Sequence, residues 1–454
     1  MIFVHGEHIL PRKQSRPKHE YPKKKSAKGQ QPEKPVQPSR EKESSTGSLT
    51  AVTFTGLLRP LISEPARPQA PVTLQSSPLA HLDYPEEIRI KNQALALFWE
   101  KNSLPGKPEP IIGSPKPRHY RTTSKRKTIL KGNTLYLLFN DRALHSQRKP
   151  FVESSLEPRE HGRIFEFLQQ KISEPVFKLA ASHLNYLIIR GSYTERAVIF
   201  NVDTLNGPLV RKLKLLAGHL QKLSEPVTSA YIYPDPSCSD YYLEEGQPSD
   251  ILQFKKLFGR TDLIVSHHGC RYSYNPTSFS QVNEAMVPVM LDMAKTLLKP
   301  DPVETLLDLY CGYGLFSHFL APGYKQVVGI DAEGPSIRSA ISNKKSNPAS
   351  KKARFLARRI TARSVEKIPL PDDLDAETIL LDPPRQGPQE GVINALSRRE
   401  PRKVLHIHCG MDQIPDSLRN WNQHGYKAQR IVPLDMFPGT AGLEVLILLE
   451  KGRG

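Results

Sequence analysis

Two residues near the end of the chain are of the types that covalent catalysis requires. Cys409 lies in LHIHCGMDQI, at the end of an apolar strand pattern, and Glu444 opens the apolar run EVLILLEK. A thiolate can add to an electrophilic carbon when positive neighbours lower its pKa, and His406, His408 and Arg385 are candidates for that role. Glu444 could accept a proton. The alternative for both is structural, because a free cysteine often fills space in a core and a glutamate often marks a strand end.

A glycine-bearing turn precedes this pair in the sequence. TLLDLYCGYGLF has the pattern of a strand, a loop with Gly312 and Gly314, and the start of a helix. Asp331 ends the next apolar run, nineteen residues after Gly312, where a carboxylate can accept hydrogen bonds from the ribose hydroxyls of a nucleoside. The third glycine of the dinucleotide fingerprint is missing, and the aromatic–Cys–Gly–x–Gly form that begins at Tyr310 favours S-adenosylmethionine over NAD. The alternative is a domain of this type that binds no cofactor.

Two further motifs are expected at the same edge of the predicted sheet. In ILLDPPRQG, Asp382 ends an apolar strand, two prolines stiffen the loop, and Arg385 offers a donor fork for a phosphate or a base oxygen. In SFSQVNEAM, Gln281 and Asn283 offer amide groups just before a predicted helix. Taken alone, the first motif could be a tight turn and the second an ordinary helix start.

The overall charge favours a polyanionic partner. The 454 residues include 64 basic and 46 acidic ones, a net charge of +18, which nucleic acid explains most simply. The four cysteines are far apart and form no C-x-x-C pair, which argues against a disulfide framework or a cysteine-held metal cluster. We therefore expect a reducing compartment, most simply the cytoplasm, although a nuclear or organellar location stays open. No apolar run is long enough to span a membrane, so we expect no membrane partner. We also expect a monomer in solution.

The composition divides the chain into three regions. Residues 1–80 are rich in Pro, Lys, Ser and Gln without periodic apolar residues, which predicts a disordered basic tail. Residues 81–280 are predicted to form a central α+β domain, opened by a helix at 85–102 and a proline-rich linker, and the basic charge of the chain makes nucleic acid the expected partner. Residues 281–454 alternate apolar strands with helices, which predicts a parallel sheet covered on both faces. The predicted fold class is therefore α/β, with a Rossmann-like C-terminal domain.

Short alternating patterns characterise the central region. TLYLLF, NYLIIRG, RAVIFNV and SAYIYP are typical of strands, and GRIFEFLQQKI and VRKLKLLAGHLQKL are typical of helices between them. We expect an antiparallel sheet. Arg121, Lys125, Arg126 and Lys127 precede these strands and are candidates for contacts with RNA phosphates.

In this order, the motifs resemble those of the RNA uracil-5-methyltransferases, which make 5-methyluridine in tRNA or rRNA. The resemblance extends from about Ser114 to the C-terminus and rests on FSQVN, DLYCGYG, DPPRQG, the strand that ends at Cys409, and FPGT before Glu444. It implies a class I methyltransferase domain that uses S-adenosylmethionine, with Cys409 as the nucleophile and Glu444 as the base. The expected cofactor contacts are Gln281, Tyr310, Gly312, Asp331 and Asp382, and the expected substrate contacts are Arg385 and Arg121.

Four positions depart from the family pattern. His408 and Gly410 flank Cys409 where Ser and Asn are usual, Asp331 stands where Glu is usual, and Leu315 replaces an Asn of some tRNA-directed members. The iron–sulfur cysteines of some rRNA-directed members are absent, so we expect no metal.

The resemblance implies a covalent mechanism. Cys409 adds to C6 of the uracil and thereby makes C5 a nucleophile for the methyl group; Glu444 then removes the C5 proton, and elimination frees Cys409. The uridine must leave the RNA stack to reach such a cleft. Two alternatives stay open. One is an RNA-binding protein that keeps the fold without turnover, given the altered neighbours of Cys409. The other is methylation of an exocyclic amine, which would leave Cys409 and Glu444 without a role.

Overall fold

The parallel sheet predicted for the C-terminal region is present, and a second sheet precedes it in the chain. The computed structural model describes residues 52–62, 77–139, 149–239, 254–369 and 377–452, which all lie in one compact unit. Most of the predicted disordered tail therefore lies outside the described residues.

The first described element is a short helix within the stretch predicted to be disordered. Helix α1, Phe54–Leu58, buries both of its terminal residues, and Phe54 packs edge-on against Phe98 with 6.0 Å between the ring centroids. Leu79 is also fully buried. Disorder is thus the wrong prediction for residues 52–62 and for the segment around Leu79. A few apolar residues in a polar stretch are enough to dock it on a core formed elsewhere.

Helix α2, Tyr84–Lys101, matches the helix predicted at 85–102. A proline in its first turn costs no hydrogen bond, and Glu86 and Glu87 complement the positive end of the helix dipole. Its buried apolar side chains belong to a cluster with one face of the C-terminal sheet. The helix therefore packs on the C-terminal sheet, and not on the central domain to which its place in the sequence assigned it.

The central domain consists of a six-stranded sheet with helices on one face. In chain order its elements are β1 Thr123–Lys131, β2 Thr134–Leu138, α3 Arg159–Ile172, α4 Lys178–His183, β3 Leu184–Gly191, β4 Arg196–Val202, α5 Gly207–Leu220, β5 Ser229–Pro234 and β6 Lys255–Gly259. The strand order is β2-β1-β3-β4-β5-β6. A separate hairpin follows, formed by β7 Leu263–His267 and β8 Cys270–Tyr274.

Two features of this sheet differ from the prediction. Strands β4 and β5 are parallel, because helix α5 returns the chain to the end of the sheet at which β4 began, so the sheet is mixed rather than antiparallel. Strand β1 was not predicted, because TSKRKTILK lacks an apolar alternation. Its buried positions are Ser124, Arg126 and Thr128.

The C-terminal domain contains a seven-stranded sheet in the order β11-β10-β9-β12-β13-β15-β14. In chain order its elements are α6 Val287–Leu298, β9 Thr305–Leu309, α7 Leu315–Leu320, β10 Gln326–Asp331, α8 Pro335–Asn343, β11 Ala353–Ala357, α9 Ala362–Val365, β12 Glu377–Leu381, α10 Val392–Ser397, β13 Lys403–His408, α11 Ile414–Gln423, β14 Tyr426–Leu434 and β15 Glu444–Lys451. Strand β15 is antiparallel to both of its neighbours, and the other pairs are parallel. The predicted α/β class with a Rossmann-like domain is confirmed.

This topology brings five strand ends together. Strands β9, β10, β12 and β13 run parallel, so their carboxyl ends share one edge of the sheet. Because β15 is antiparallel to β13, its first residue lies at that same edge. The edge is where ligands bind in open α/β sheets.

Candidate active site

The loop after β9 leaves space beside its backbone. Gly312 and Gly314 have φ angles of +56° and +86°, in the left-handed region that favours glycine. A Cβ atom at Gly314 would lie 2.8 Å from the His318 ring, whereas one at Gly312 would meet no atom within 4 Å. Gly314 therefore permits the packing of α7, and Gly312 keeps the backbone open to a ligand. Tyr310, at the start of the loop, also has a positive φ, +63°.

Three carboxyl groups converge beside this loop. Asp331, at the end of β10, accepts hydrogen bonds from the backbone N–H groups of Gly312 and Ala332, both at 2.6 Å. Burial and the neighbouring charges of Asp308 and Asp331 raise the pKa of Asp382 to about 7. Burial and Asp331 likewise raise the pKa of Asp308 to about 7, although Ser317 donates a hydrogen bond to it. Burial is the main cause of these shifts and the neighbouring carboxylates add to them, so a cation bound beside the cluster would stabilise its charged form.

Cys409 directly follows β13 and is half-buried. Its Sγ lies 3.8 Å from the carbonyl oxygen of Pro383, so it faces the loop after β12. Burial, then the charges of Glu444 and Asp382, raise its pKa to about 12, while the charge of Arg385 lowers it. The thiol therefore has both acidic and basic neighbours from different strands.

Glu444 begins β15 and is 2% exposed. In the antiparallel register His408 pairs with Val445. Cys409 follows His408 and Glu444 precedes Val445, so these two residues lie opposite each other. Burial, then the charge of Asp382, raise the pKa of Glu444 to about 8, and Arg385 opposes this shift. The structure thus brings together the two residues that the sequence singled out as nucleophile and base.

The two histidines near Cys409 do not supply positive charge. Both are fully buried, their rings lie 3.8 Å apart between centroids, and burial lowers the pKa of His408 to about 3. The pKa of His406 is also lowered far below its usual value. The prediction that these residues activate the thiol is therefore wrong, because both belong to the sheet core and are neutral. Of the three candidates, Arg385 alone lowers the pKa of Cys409.

A cavity of about 730 Å³ lies between the central domain and the Cys409 loop. Its basic side includes Arg121 and Lys125 from the start of the central sheet and Arg385 from the opposite domain. Phe54 and Phe437 contribute aromatic surface. Cys409 lines this cavity, whereas the glycine loop and Asp331 do not. The thiol therefore faces a space large enough for a nucleotide.

The chain was compared with models of protein families. Residues 248–452 match the model of the family described as tRNA (uracil-5-)-methyltransferase. The C-terminal part of the chain is therefore similar to this RNA methyltransferase family. The matched residues include the whole seven-stranded sheet and both Cys409 and Glu444.

Relatives of this chain extend the match beyond those residues. A protein of Clostridium tetani, named an uncharacterized RNA methyltransferase, is 24% identical over 396 residues, which are 84% of each chain. One of Thermosynechococcus vestitus with the same description is 32% identical over 194 residues, 42% of each chain. The crystal structure of Pyrococcus abyssi tRNA (uracil-54, C5)-methyltransferase in complex with S-adenosyl-L-homocysteine covers 85% of this chain and 88% of its own, with 22% identity and a TM-score of 0.58. This last likeness shows a common fold across both sheets.

One basic residue predicted to contact RNA is unsuited to it. Arg126 is 1% exposed, and its guanidinium pairs with Glu157 through two hydrogen bonds. It also lies 3.8 Å from the centroid of the Phe139 ring. The prediction fails because β1 alternates, which sends Arg126 inward while Arg121 and Lys125 are partly exposed.

The predicted amide pair lies in the joint between the two domains. Gln281 is 9% exposed and adjoins Val282, whose carbonyl accepts hydrogen bonds from the N–H and hydroxyl groups of Thr122. The amide of Asn283 donates to the carbonyl of Met436, at 3.1 Å. Asn283 therefore has a structural role in this joint, and Gln281 stays a predicted cofactor contact.

Sequence reasoning missed a buried ionic network beside the active site. Lys91 of α2 is fully buried and pairs with Glu87 and with Asp435, each at 2.8 Å. Glu87 also accepts a hydrogen bond from the N–H of Gly439, which belongs to the loop that leads to Glu444. In the sequence, this network could have been recognised from two charged residues, four positions apart, on the apolar face of a predicted helix.

Two observations concern a metal ion and a membrane, both of which the sequence argued against. Within the described residues, no group of His, Cys, Asp or Glu side chains is arranged to hold a metal ion. Within the same residues, no helix is both long and apolar enough to cross a membrane.

Proposed function

We propose that this methyltransferase transfers the methyl group of S-adenosylmethionine to C5 of a uridine in tRNA or rRNA, through a covalent adduct between Cys409 and C6. The observation that carries the proposal is the pairing of Cys409, which lines the basic cavity, with the buried Glu444 on the neighbouring strand. The reaction needs a nucleophile and a separate base at adjacent carbons of one ring. Cys409 directly follows one strand and Glu444 begins the neighbouring strand, so the two residues lie at the same edge of the sheet.

The cluster of Asp308, Asp331 and Asp382 beside the glycine loop fits S-adenosylmethionine. That cofactor carries an ammonium and a sulfonium group, which a cluster of three carboxyl groups would stabilise. Asp331 keeps unused acceptor lone pairs beyond its two backbone hydrogen bonds, and these suit ribose hydroxyls. The residues that would hold the cofactor are Gln281, Tyr310, Gly312, Asp331 and Asp382. When bound, the cofactor supplies an electrophilic methyl group.

The cavity fits a uridine that has left the RNA stack. Its volume of about 730 Å³ lies in the usual range for small-molecule sites. Arg121, Lys125 and Arg385 suit the phosphates that flank an extruded base, and Phe54 and Phe437 offer aromatic surface to the base. The whole-chain charge of +18 suits the attraction of RNA to this surface.

Each protein group then has one chemical task. The Cys409 thiolate adds to C6, which places electron density on C5 and on the O4 carbonyl. Arg385 stabilises the thiolate, since it is the neighbour that lowers the pKa of Cys409. After methyl transfer, Glu444 takes the proton from C5, and the C6–S bond breaks to restore the thiolate. Its raised pKa of about 8 makes Glu444 a stronger base than an ordinary carboxylate.

The direct test is nucleoside analysis. Purified protein is incubated with S-adenosylmethionine and tRNA or rRNA transcripts, and the digested RNA is analysed for 5-methyluridine by mass spectrometry. We expect one modified uridine per target RNA, and a covalent adduct with RNA that carries 5-fluorouridine at that site. Other methylated nucleosides without 5-methyluridine would show that the proposed reaction is wrong.

A second candidate is an RNA-binding protein without turnover. The raised pKa of Cys409, about 12, favours it, because little thiolate forms near neutral pH. The same assay separates the two functions, since such a protein would retain RNA yet form neither 5-methyluridine nor an adduct with fluorinated RNA.

A further inference from the structure

The turn that follows Cys409 contains a glycine that the backbone does not require. Gly410 has φ −130° and ψ 116°, an extended conformation that any residue can adopt. A Cβ atom built on it would nevertheless lie 2.6 Å from Nε2 of Gln413 and 3.2 Å from the carbonyl oxygen of Arg385. Contacts below 3.0 Å force a neighbour to shift. A side chain at position 410 would therefore displace the Gln413 amide from the space that it occupies.

The Gln413 side chain joins the two loops that carry the reactive groups. Its Nε2 donates a hydrogen bond to the backbone carbonyl of Arg385, in the loop that begins at Asp382. A carbonyl only accepts, so this bond fixes which end of the amide faces the loop. The Oε1 end lies beside Gly387, where a Cβ atom would approach it to 3.0 Å, and Gly387 has φ +79°. The amide is thus enclosed by both loops.

Building on the proposed function, we propose that Gln413 is a positioning residue: it clamps the Asp382–Gly387 loop to the Cys409–Gly410 turn and so holds the Arg385 guanidinium beside the thiol. Arg385 itself is exposed, so little else packs around its side chain. Its backbone, however, is fixed by the Gln413 bond and by the turn in which the Gly387 N–H donates to Pro384 at 2.7 Å. Loss of the clamp would let the guanidinium move away from Cys409 without unfolding the sheet.

The consequence is a change in the acidity of Cys409. The charged groups that face this thiol are Glu444 from β15, and Asp382 and Arg385 from the loop after β12. His408, on its own strand, is neutral. Glu444 and Asp382 are fixed by their strands, so the distance to Arg385 is the variable that the Gln413 clamp controls.

The test measures the alkylation of Cys409 by iodoacetamide between pH 7 and 10.5, peptide by peptide, using mass spectrometry on full-length protein. The variants are Gln413→Ala, and Gln413→Met, which keeps the length of the side chain without the hydrogen bond. Arg385→Gln removes the positive charge itself, so it should give the largest decrease in the alkylation rate of Cys409. Cys238, which is exposed, serves as the internal control in every sample. This assay needs no RNA, so it holds even if the proposed reaction is wrong.

We expect both Gln413 variants to lower the alkylation rate of Cys409 by about 3- to 10-fold at fixed pH below its pKa, in the direction of Arg385→Gln. Cys238 should not change. Equal rates in wild type and both variants, with a clear effect of Arg385→Gln, would overturn the proposal. A slowing in Gln413→Ala that Gln413→Met restores would also overturn it, because packing rather than the hydrogen bond would then matter.

A double-mutant cycle tests the clamp by a second route. Gly410→Ala should slow Cys409 alkylation and single-turnover methylation in the wild-type background, because the new methyl group displaces the amide. In the Gln413→Ala background the same change should have a much smaller effect, since the amide that it displaces is absent and the 3.2 Å contact with the Arg385 carbonyl oxygen is what is left. Additive losses would show that Gly410 and Gln413 act independently, and would contradict the clamp.

Discussion

Cys409 and Glu444 occupy facing positions at the ends of two antiparallel strands. The pairing of His408 with Val445 fixes this relationship, since one further step along each strand leads to the two residues. The burial of Cys409 and the charge of Glu444 both raise the pKa of the thiol. A ring held between the two strand ends would have the nucleophile and the base within reach of adjacent carbons.

Cys409→Ala should abolish methylation and leave the binding of S-adenosylmethionine nearly unchanged. The thiol lines the cavity, whereas the glycine loop and Asp331 lie outside it. Methylation of RNA and calorimetric titration of the cofactor measure the two effects separately. The matched control is Cys238→Ala at an exposed position, which should retain activity. Normal turnover by Cys409→Ala would exclude a covalent mechanism through this residue.

The single-turnover rate should rise with pH through the region of pH 8. As the proposed base, Glu444 would act only when deprotonated, and its pKa is raised to about 8 by burial and by Asp382. Asp382→Asn removes one negative charge, so the pKa values of Glu444 and Cys409 should fall and the acid limb should move to lower pH. The measurement uses saturating cofactor, since Asp382 is also a proposed cofactor contact. Asp416→Asn, at an exposed site on α11, should leave the limb in place. An unmoved limb in Asp382→Asn would show that other groups control the rate.

Removal of residues 1–51 should leave the melting temperature unchanged, whereas removal of residues 1–80 should lower it. The longer deletion takes away Phe54, Leu58 and Leu79, each at most 2% exposed. Each such side chain contributes about 1.5–3 kcal/mol when buried. Thermal melts of the two deletions measure the difference, with Phe54→Ala as a point variant and the exposed Val52→Ala as its control. Equal melting temperatures for both deletions would mean that α1 adds no stability.

The sequence was most informative where strands end. Each of the motifs around Tyr310, Asp331, Asp382 and Cys409 follows a strand, because apolar runs mark buried parallel strands and polar residues mark their carboxyl ends. Topology then explains why these motifs share one edge. Glu444 was harder to place, since only the antiparallel register of β15 brings it there.

Other features depend on tertiary contacts that no local pattern reveals. Strand β1 contains the inward-facing Arg126, whose burial is possible only because Glu157 pairs with it from another segment. His408 is neutral because the strand that carries it is central in the sheet, whereas the sequence shows only a basic residue beside a cysteine. The cavity and the Gln413 clamp each require two loops from different parts of the chain.

Lys91→Ala should destabilise the protein by about 3–5 kcal/mol, because it removes the buried cation between two carboxylates, although Arg118 still pairs with Glu87 and the Tyr84 hydroxyl still donates to Asp435. Lys91 is fully buried between Glu87 and Asp435. The combined change of Glu87→Gln, Lys91→Met and Asp435→Asn removes all three charges and should cost less than the single change. Urea denaturation measures each free energy of unfolding. A loss below about 1 kcal/mol in Lys91→Ala would show that water replaces the lysine at no large cost.

Glu444→Gln should trap the reaction after methyl transfer. A base that acts last is not needed for the addition of the thiolate, and glutamine keeps the shape while it removes the proton acceptor. Loss of the negative charge should also lower the pKa of Cys409, so the adduct should form at lower pH than in wild type. We therefore expect an RNA–protein adduct on ordinary, unfluorinated RNA, which requires both Cys409 and S-adenosylmethionine. Denaturing gel electrophoresis with a methyl-labelled cofactor detects it as a slow-migrating labelled band.

Glu450→Gln, near the far end of the same strand, is the matched control and should turn over without an adduct. An RNA-binding protein without turnover would give no band with either residue at 444, and a methyltransferase of exocyclic amines would stay active without one. If wild type methylates the same RNA and Glu444→Gln gives no labelled band, another group removes the C5 proton.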